Sequence, residues 1–323
     1  MRLLIIITTL ASVVMLTCCQ HQQELCFDHD RHERIPMDVE FDWSDHPDAN
    51  PATMSLYLFP EDGRPSIRYE FEGRAGGRIL VPAGRYTAIA LNSDSEEILV
   101  EETDRLETFR LRLRDAYELQ GLSMRASEVP RSPGAEEERM AYAPTKLWRV
   151  RTDGLFADEG TEDVKKFRMR PTEAICHYSV RIDSVENIKG VTSVSATLSG
   201  MAGGMFLHNG ALTDETVTIP FDIAPSGEVS LSGTWMTLGH CGHSRCRSDD
   251  DTPATKHIFT VYAVLADGSR WYRCYTVTDQ VHSSDPNRCD IVLDRLSLPK
   301  AMNGGGFNIS VGEWQTISQL IPM

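Results

Sequence analysis

The sequence is short of basic residues, with 32 Lys and Arg against 47 Asp and Glu and a formal net charge of −15. An acidic surface repels nucleic-acid phosphates and anionic lipid headgroups, so we expect no nucleic-acid partner. The sequence also lacks the G-x-S-x-G nucleophile elbow and the H-E-x-x-H zinc motif, and no cysteine lies in a known nucleophile context. We therefore predict a protein that is not an enzyme and that needs no cofactor.

Long apolar runs are missing after residue 19, so the rest of the chain is expected to stay outside the bilayer. The exception lies at the start, where Leu3 to Leu16 carries no charge and follows the single basic residue Arg2. This run is short for a membrane span and is typical of a secretory signal. The formal charge of the mature chain would then be −16, from 31 Lys and Arg (32 less Arg2) and 47 Asp and Glu.

The signal ends in a pair of cysteines. Leu16-Thr17-Cys18-Cys19 resembles the lipobox of bacterial lipoproteins, in which the cysteine after the cleavage site is acylated. Cys19 keeps Leu16 at the usual apolar position, whereas Cys18 would put Met15 there, so we predict lipidation of Cys19 with Cys18 as the alternative. An ordinary secretory signal with incidental cysteines is the other interpretation. Two or more acyl chains hold a protein stably on a membrane.

Residues 1–18 are thus predicted to be the signal and residues 19–36 a polar tether containing Cys26 and three histidines. A zinc site in this tether is the less favoured interpretation, because the spacing fits no standard finger.

From residue 37 the pattern is that of β-strands. Met37 to Trp43 alternates apolar and acidic residues, and Phe109 to Arg114 alternates apolar residues with arginine. Short strands at about ten-residue spacing indicate an antiparallel sandwich over residues 37–152. Residues 153–323 have the same texture, so the predicted fold is all-β with two tandem sandwiches. We predict loops at residues 121–145, which are rich in proline and glutamate, and at the glycine-rich residues 200–205.

The densest reactive cluster is predicted at residues 240–246. His240, Cys241, His243 and Cys246 have the composition of a zinc tetrahedron, but the ligands are too close in sequence for a standard finger. A local disulfide between Cys241 and Cys246 is the simpler interpretation in an oxidising compartment, and we predict no metal. Cys274 and Cys289 could also be bridged across a hairpin; the spacing does not decide the connectivity.

Several stretches together resemble a known family. The lipobox is followed by Cys26-Phe27-Asp28-His29, VEFDWSDHPDANP, MSLYLFPEDG, a glycine-rich stretch over residues 71–94, and NGGGFNISVGEWQTI near the end. This combination is similar to the FimB-like fimbrial anchor and assembly lipoproteins of Bacteroides-type bacteria. The resemblance implies two transthyretin-like domains, a palmitate-type lipid anchor in the outer membrane and exposure at the cell surface.

The same resemblance implies fimbrial subunits as partners, one of which donates a strand to a groove of the anchor. Main-chain hydrogen bonds at a sheet edge would supply the affinity. The alternative function is a surface lipoprotein that binds a glycan or host ligand through exposed aromatic residues such as Trp235 or Trp271.

Overall fold

A computed structural model describes residues 34–158, 164–240, 255–285, 287–300 and 313–316. The predicted signal, Cys18, Cys19 and most of the tether lie outside these residues. The strands in the first part of the chain are β1 Arg34–Phe41, β2 Thr53–Pro60, β3 Ile67–Glu72, β4 Gly76–Pro82, β5 Gly84–Asn92, β6 Ile98–Glu101, β7 Arg110–Leu113, β8 Glu118–Leu119, β9 Met124–Arg125, β10 Arg139–Met140, β11 Trp148–Ala157, β12 Lys165–Met169 and β13 Thr172–Glu173.

The remaining strands are β14 Cys176–Ile182, β15 Val185–Glu186, β16 Val191–Ala202, β17 Gly204–Phe206, β18 Thr216–Asp222, β19 Ala224–Pro225, β20 Leu231–Thr237, β21 Ile258–Leu265, β22 Arg270–Thr276, β23 Arg288–Leu293, β24 Leu296–Ser297 and β25 Trp314–Thr316. Among the described residues the only α-helix is α1, Thr278–Ser283. Short 3-10 turns are also present at Gln120–Leu122, Ala126–Glu128 and Ile188–Gly190. The predicted all-β fold is confirmed. No described helix has the length and apolar character that a membrane crossing requires.

The first sandwich packs a three-stranded sheet, ordered β12-β1-β4, against a five-stranded sheet, ordered β13-β11-β5-β2-β3. The alternation in the sequence of β1 matches its burial: Met37, Val39 and Phe41 are buried and face the larger sheet. Residues two apart in a strand share a face, so the intervening acidic residues point to solvent.

The central strands of the larger sheet are buried on both faces. Met54, Leu56 and Leu58 of β2 belong to the core of the first sandwich. Tyr57 and Phe59 point the other way, onto Phe109 and the core of the second half. A strand buried on both sides has no reason to alternate, which accounts for the continuous apolar run of β2.

The second sandwich packs a six-stranded sheet, ordered β10-β18-β16-β21-β22-β25, against a four-stranded sheet, ordered β19-β20-β14-β23. Its core includes a parallel stack of Phe221 on Trp235, with ring centroids 3.6 Å apart and planes 7° from parallel. Trp235 is 6 % exposed. It packs in the core, so the suggestion that it offers an exposed ring to a glycan is wrong.

Strand pairing runs across the predicted boundary between residues 152 and 153. β11 continues through this point, and residues on both sides of it pair with β5. β12 then returns to the first sandwich and pairs in parallel with β1, Met37 opposite Lys165. We therefore propose that the first sandwich extends through β13.

Residues 121–145 differ from the predicted solvated loop. The segment lies over the outer face of the six-stranded sheet and forms a small apolar cluster around the fully buried Tyr262. Polar contacts fix it there: the Tyr262 hydroxyl donates to the Pro130 carbonyl at 2.7 Å, and the Ser132 and Thr260 hydroxyls share a buried hydrogen bond. The prolines and glutamates suggested a solvated loop, although buried apolar residues lie between them in the sequence.

The glycine-rich residues 200–205 also differ from the predicted loop. β16 continues to Ala202, and Gly200 lies at a bulge where the register with β18 shifts. Its φ is +78°, a left-handed conformation that favours glycine. The Glu138 carboxylate accepts hydrogen bonds from the Gly200 N–H and the Thr218 hydroxyl, which ties the bulge to the covering segment.

We expect Gly200→Ala to destabilise the protein more than Gly268→Ala. Both glycines are left-handed, so alanine costs about 1–2 kcal/mol of conformational strain at each. An added Cβ at Gly200 would also lie 2.5 Å from the Lys256 carbonyl oxygen, whereas at Gly268 it meets nothing within 4 Å. Overpacking of this kind costs about another 1–3 kcal/mol. Urea unfolding of the two variants measures the difference, and equal losses would contradict the bulge geometry.

Candidate functional site

The predicted function requires a sheet edge that can accept a strand. Among the described residues, four long strands lie at sheet edges: β3, β4, β12 and β23. An edge strand presents unpaired N–H and C=O groups, and proteins usually cover or cap those that must not pair with other chains. The side-chain contacts of each edge therefore show which of them are already occupied.

The β23 edge is capped by one side chain. The Gln280 carboxamide donates from Nε2 to the Val292 carbonyl at 3.1 Å and accepts from the Val292 N–H at 2.9 Å. A primary amide in this position makes the two hydrogen bonds that a residue of a neighbouring strand would make. Gln280 lies on α1, which is held in place by the fully buried Val281. This edge is therefore already occupied at Val292.

The β4 edge is partly capped, because the Tyr69 hydroxyl donates to the Leu80 carbonyl at 2.6 Å. Within β3 and β12, in the part of the chain that the structure describes, no comparable side-chain cap is found on the main chain of residues 67–72 or 165–168. These two strands are the longest uncapped edges, and both belong to the first sandwich.

The closing stretch of the resemblance, residues 303–317, is described only at residues 313–316. There β25 pairs in parallel with β22, with Trp314 opposite Arg270. The Trp314 indole packs against Tyr262 and Tyr272 and donates to the Glu128 carbonyl at 2.8 Å. Residues 314–316 thereby join the outer edge of the second sandwich and the segment that covers it.

Of the predicted reactive cluster, only His240 lies within the described residues; Cys241, His243 and Cys246 lie outside them. His240 is buried, shares a 2.7 Å hydrogen bond with the Tyr178 hydroxyl, and packs against His257 and His282. The three imidazoles have ring centroids 5.0–5.5 Å apart. Within the described ranges, no three His, Cys, Asp or Glu side chains are arranged to hold a metal ion.

The protonation of His257 follows from its partners. Its Nδ1 lies 3.2 Å from the Ser199 carbonyl, which can only accept, so Nδ1 carries the hydrogen. In the neutral ring Nε2 is then an acceptor, and it lies 3.1 Å from His282 Nε2, which donates. Burial lowers the pKa of His257 to about 3, as do the neighbouring His240 and His282, while the Ser199 hydrogen bond acts in the opposite direction.

Cys274 and Cys289, the other predicted disulfide candidates, are free thiols. Cys274 lies on β22 of the six-stranded sheet and Cys289 on β23 of the four-stranded sheet, so the possible bridge between them is not formed. Cys176 is buried, with its Sγ 3.9 Å from the Leu238 carbonyl oxygen. Burial raises the pKa of the Cys274 and Cys289 thiols, which makes both less reactive than an exposed cysteine. Trp271, the other predicted glycan contact, is partly buried, and its indole N–H donates to the Ser269 hydroxyl.

Acid should weaken the fold through His257. Its folded pKa lies below the usual value of 6.5, so the unfolded chain binds the proton more readily. The contribution to stability is complete above pH 6.5 and is lost as pH falls towards 3, by about 1.4 kcal/mol per pH unit. In urea unfolding between pH 4.5 and 6.5, we expect His257→Asn to reduce the slope of stability against pH. Identical slopes for the variant and the parent would contradict this assignment.

The comparisons with known proteins agree on a family and a fold. The family model described as "Domain of unknown function (DUF5119)" matches residues 18–222. A protein of Bacteroides ovatus named "Putative fimbrium anchoring subunit Fim4B" is 22% identical over 216 residues, which is 66% of this chain. The alignment spans 59% of that relative's length. The predicted resemblance to fimbrial anchor proteins of Bacteroides-type bacteria is thereby confirmed.

Solved structures extend the match to most of the chain. A crystal structure of a "putative adhesin" from Bacteroides ovatus superposes with a TM-score of 0.65 at 18% identity, covering 85% of this chain and 96% of the other. The fimbrial anchor protein Mfa2 from Porphyromonas gingivalis gives a TM-score of 0.48 at 15% identity, covering 82% and 90%. The first of these superpositions establishes the shared β-sandwich architecture.

Proposed function

Since the chain belongs to the DUF5119 family, we propose that it is a non-enzymatic outer-membrane lipoprotein that anchors or assembles fimbriae. The similarity to a fimbrium anchoring subunit carries this proposal, because it covers 66% of the chain. The fold agrees with such a role: it is built from packed sheets, and its long uncapped edges are suited to pairing with other chains. Fimbrial subunits are the proposed partners.

The attachment to the membrane is proposed to run through Cys19. The apolar run before it is long enough for a signal but short for a span, and the described residues hold no helix suited to crossing. Acylation of the cysteine would then supply the anchor, and the polar residues up to 33 would separate it from β1. The folded part would be displayed at the cell surface.

The contact with the fimbria is proposed to form by strand addition at the first sandwich. β3 and β12 offer the longest uncapped edges among the described residues, whereas Gln280 already occupies β23. An added strand would gain main-chain hydrogen bonds along the edge and specificity from its alternate side chains. An anchor that accepts a strand and donates none would end the fibre at the membrane.

The lipid anchor is tested by two single substitutions. We expect Cys19→Ala to move the protein from the membrane fraction to the soluble fraction and to abolish incorporation of labelled palmitate. Cys18→Ala is the matched control and should leave both unchanged. The opposite pattern would assign the lipid to Cys18, and membrane retention of both variants without label would reject acylation as the anchor.

The accepting edge is tested by photo-crosslinking in cells that make fimbriae. An added strand lies about 5 Å from its neighbour, so p-benzoylphenylalanine at Glu70 of β3 or Arg168 of β12 should crosslink to a fimbrial subunit. The same residue at Arg181 is the control, because β14 has a strand on each side. Fimbriae that stay attached without a crosslink at either edge would contradict strand addition at these sites.

A further inference from the structure

A cleft of about 460 Å³ opens where the two sandwiches meet. One wall is formed by Arg149 of β11 and Thr172 of β13, and the other by Asn209, Gly210 and Ala211 in the connection from β17 to β18. Asn287, just before β23, completes it. The volume lies within the range of small-ligand sites, which are usually concave and carry a few well-placed polar groups.

Arg149 is the unusual residue of this cleft. Its Nε donates to the Leu207 carbonyl at 2.7 Å, which fixes the direction of the guanidinium. Among the described residues, no carboxylate forms an ion pair with it. Arg139, by contrast, pairs with both Asp115 and Glu215. The other N–H groups of the Arg149 fork are therefore available to an acceptor from outside the chain.

A second guanidinium lies close by and already has its own partners. Arg151, two residues further along β11, binds the His208 carbonyl and pairs with Asp153. Burial lowers the pKa of Arg149, and the charge of Arg151 lowers it further. A partly buried cation without a counter-ion is costly, and an anion bound beside it would offset that cost.

The loop that faces Arg149 comes close to its guanidinium. Gly210 has a φ of +75°, and a Cβ there would lie 3.4 Å from Arg149 Nη1. The Asn209 side-chain oxygen accepts from the Ala211 N–H at 2.9 Å, which holds the turn in place. The cleft also contains one acidic residue, Glu173, whose carboxylate lies 3.0 Å from His177 Nε2.

We propose that this cleft is a binding site for a small carboxylate-bearing ligand, whose carboxylate pairs with the Arg149 guanidinium. Two parallel hydrogen bonds between the fork and the carboxylate give such a pair both strength and orientation. Asn209, Asn287 and the Thr172 hydroxyl would meet the polar groups of the ligand, as expected for an acidic sugar. The site is separate from the proposed strand-accepting edges β3 and β12 and from the lipid anchor.

Binding is tested by titration calorimetry at low ionic strength with glucuronate, N-acetylneuraminate and succinate, and with glucose as the neutral probe. We expect at least one carboxylate probe to bind with 1:1 stoichiometry and glucose not to bind. Tight binding of the sugar acids alone identifies an acidic-sugar site, whereas equal binding of succinate identifies a general carboxylate site. Both results support the proposal. Absence of binding by all three carboxylates, or equal binding of glucose, would overturn it.

Two variants assign the site to Arg149. We expect Arg149→Gln to weaken binding at least tenfold. Asn209→Asp leaves Arg149 in place and keeps the acceptor for the Ala211 N–H, but it adds a competing negative charge, so it should also weaken binding. Arg181→Gln, on the exposed face of β14, is the control and should bind as the parent does. Parental affinity in Asn209→Asp and in a folded Arg149→Gln, with melting curves verifying the fold, would exclude this cleft.

Discussion

The structure depends on the burial of both faces of β2 and β5. Met54, Leu56 and Leu58 close the core of the first sandwich, while Tyr57 and Phe59, one residue out of step, pack into the core of the second half. Each fully buried large apolar side chain stabilises the fold by about 1.5–3 kcal/mol. Because the same two strands serve both cores, a shift of register in either would expose apolar side chains on both sides at once.

This shared sheet also determines where function can be placed. The central strands are unavailable, so contacts with other molecules are left to the edges, to the covering segment and to the junction between the sandwiches. The edges differ in state: Gln280 caps β23, Tyr69 caps part of β4, and β3 and β12 remain uncapped. At the junction, Arg149 and Arg151 of β11 hold the residue 207–208 carbonyls, so the cleft is built by contacts between the two halves.

Much of the fold could be predicted from the sequence, because period-two alternation is a local signal. The strand at Met37 and the arginine-faced strand at Arg110 are examples. Pairings between distant segments have no such signal: nothing near Lys165 indicates that it lies opposite Met37. The same limit applies to the histidines, since His257 and His282 reach His240 only through the packing of the second sandwich. Arg149 looks like an ordinary outward-facing strand residue until the loop that covers it is known.

The position of β1 has a mechanical consequence. β1 begins at Arg34, directly after the residues that lead back to the chain start, and it is the middle strand of its sheet. It is antiparallel to β4 on one side and parallel to β12 on the other. Tension drawn along β1 from its N-terminal end therefore loads two ladders together, and the strand must slide past both neighbours before it leaves. The first sandwich therefore resists a force applied at the start of the chain, because both ladders must be broken together.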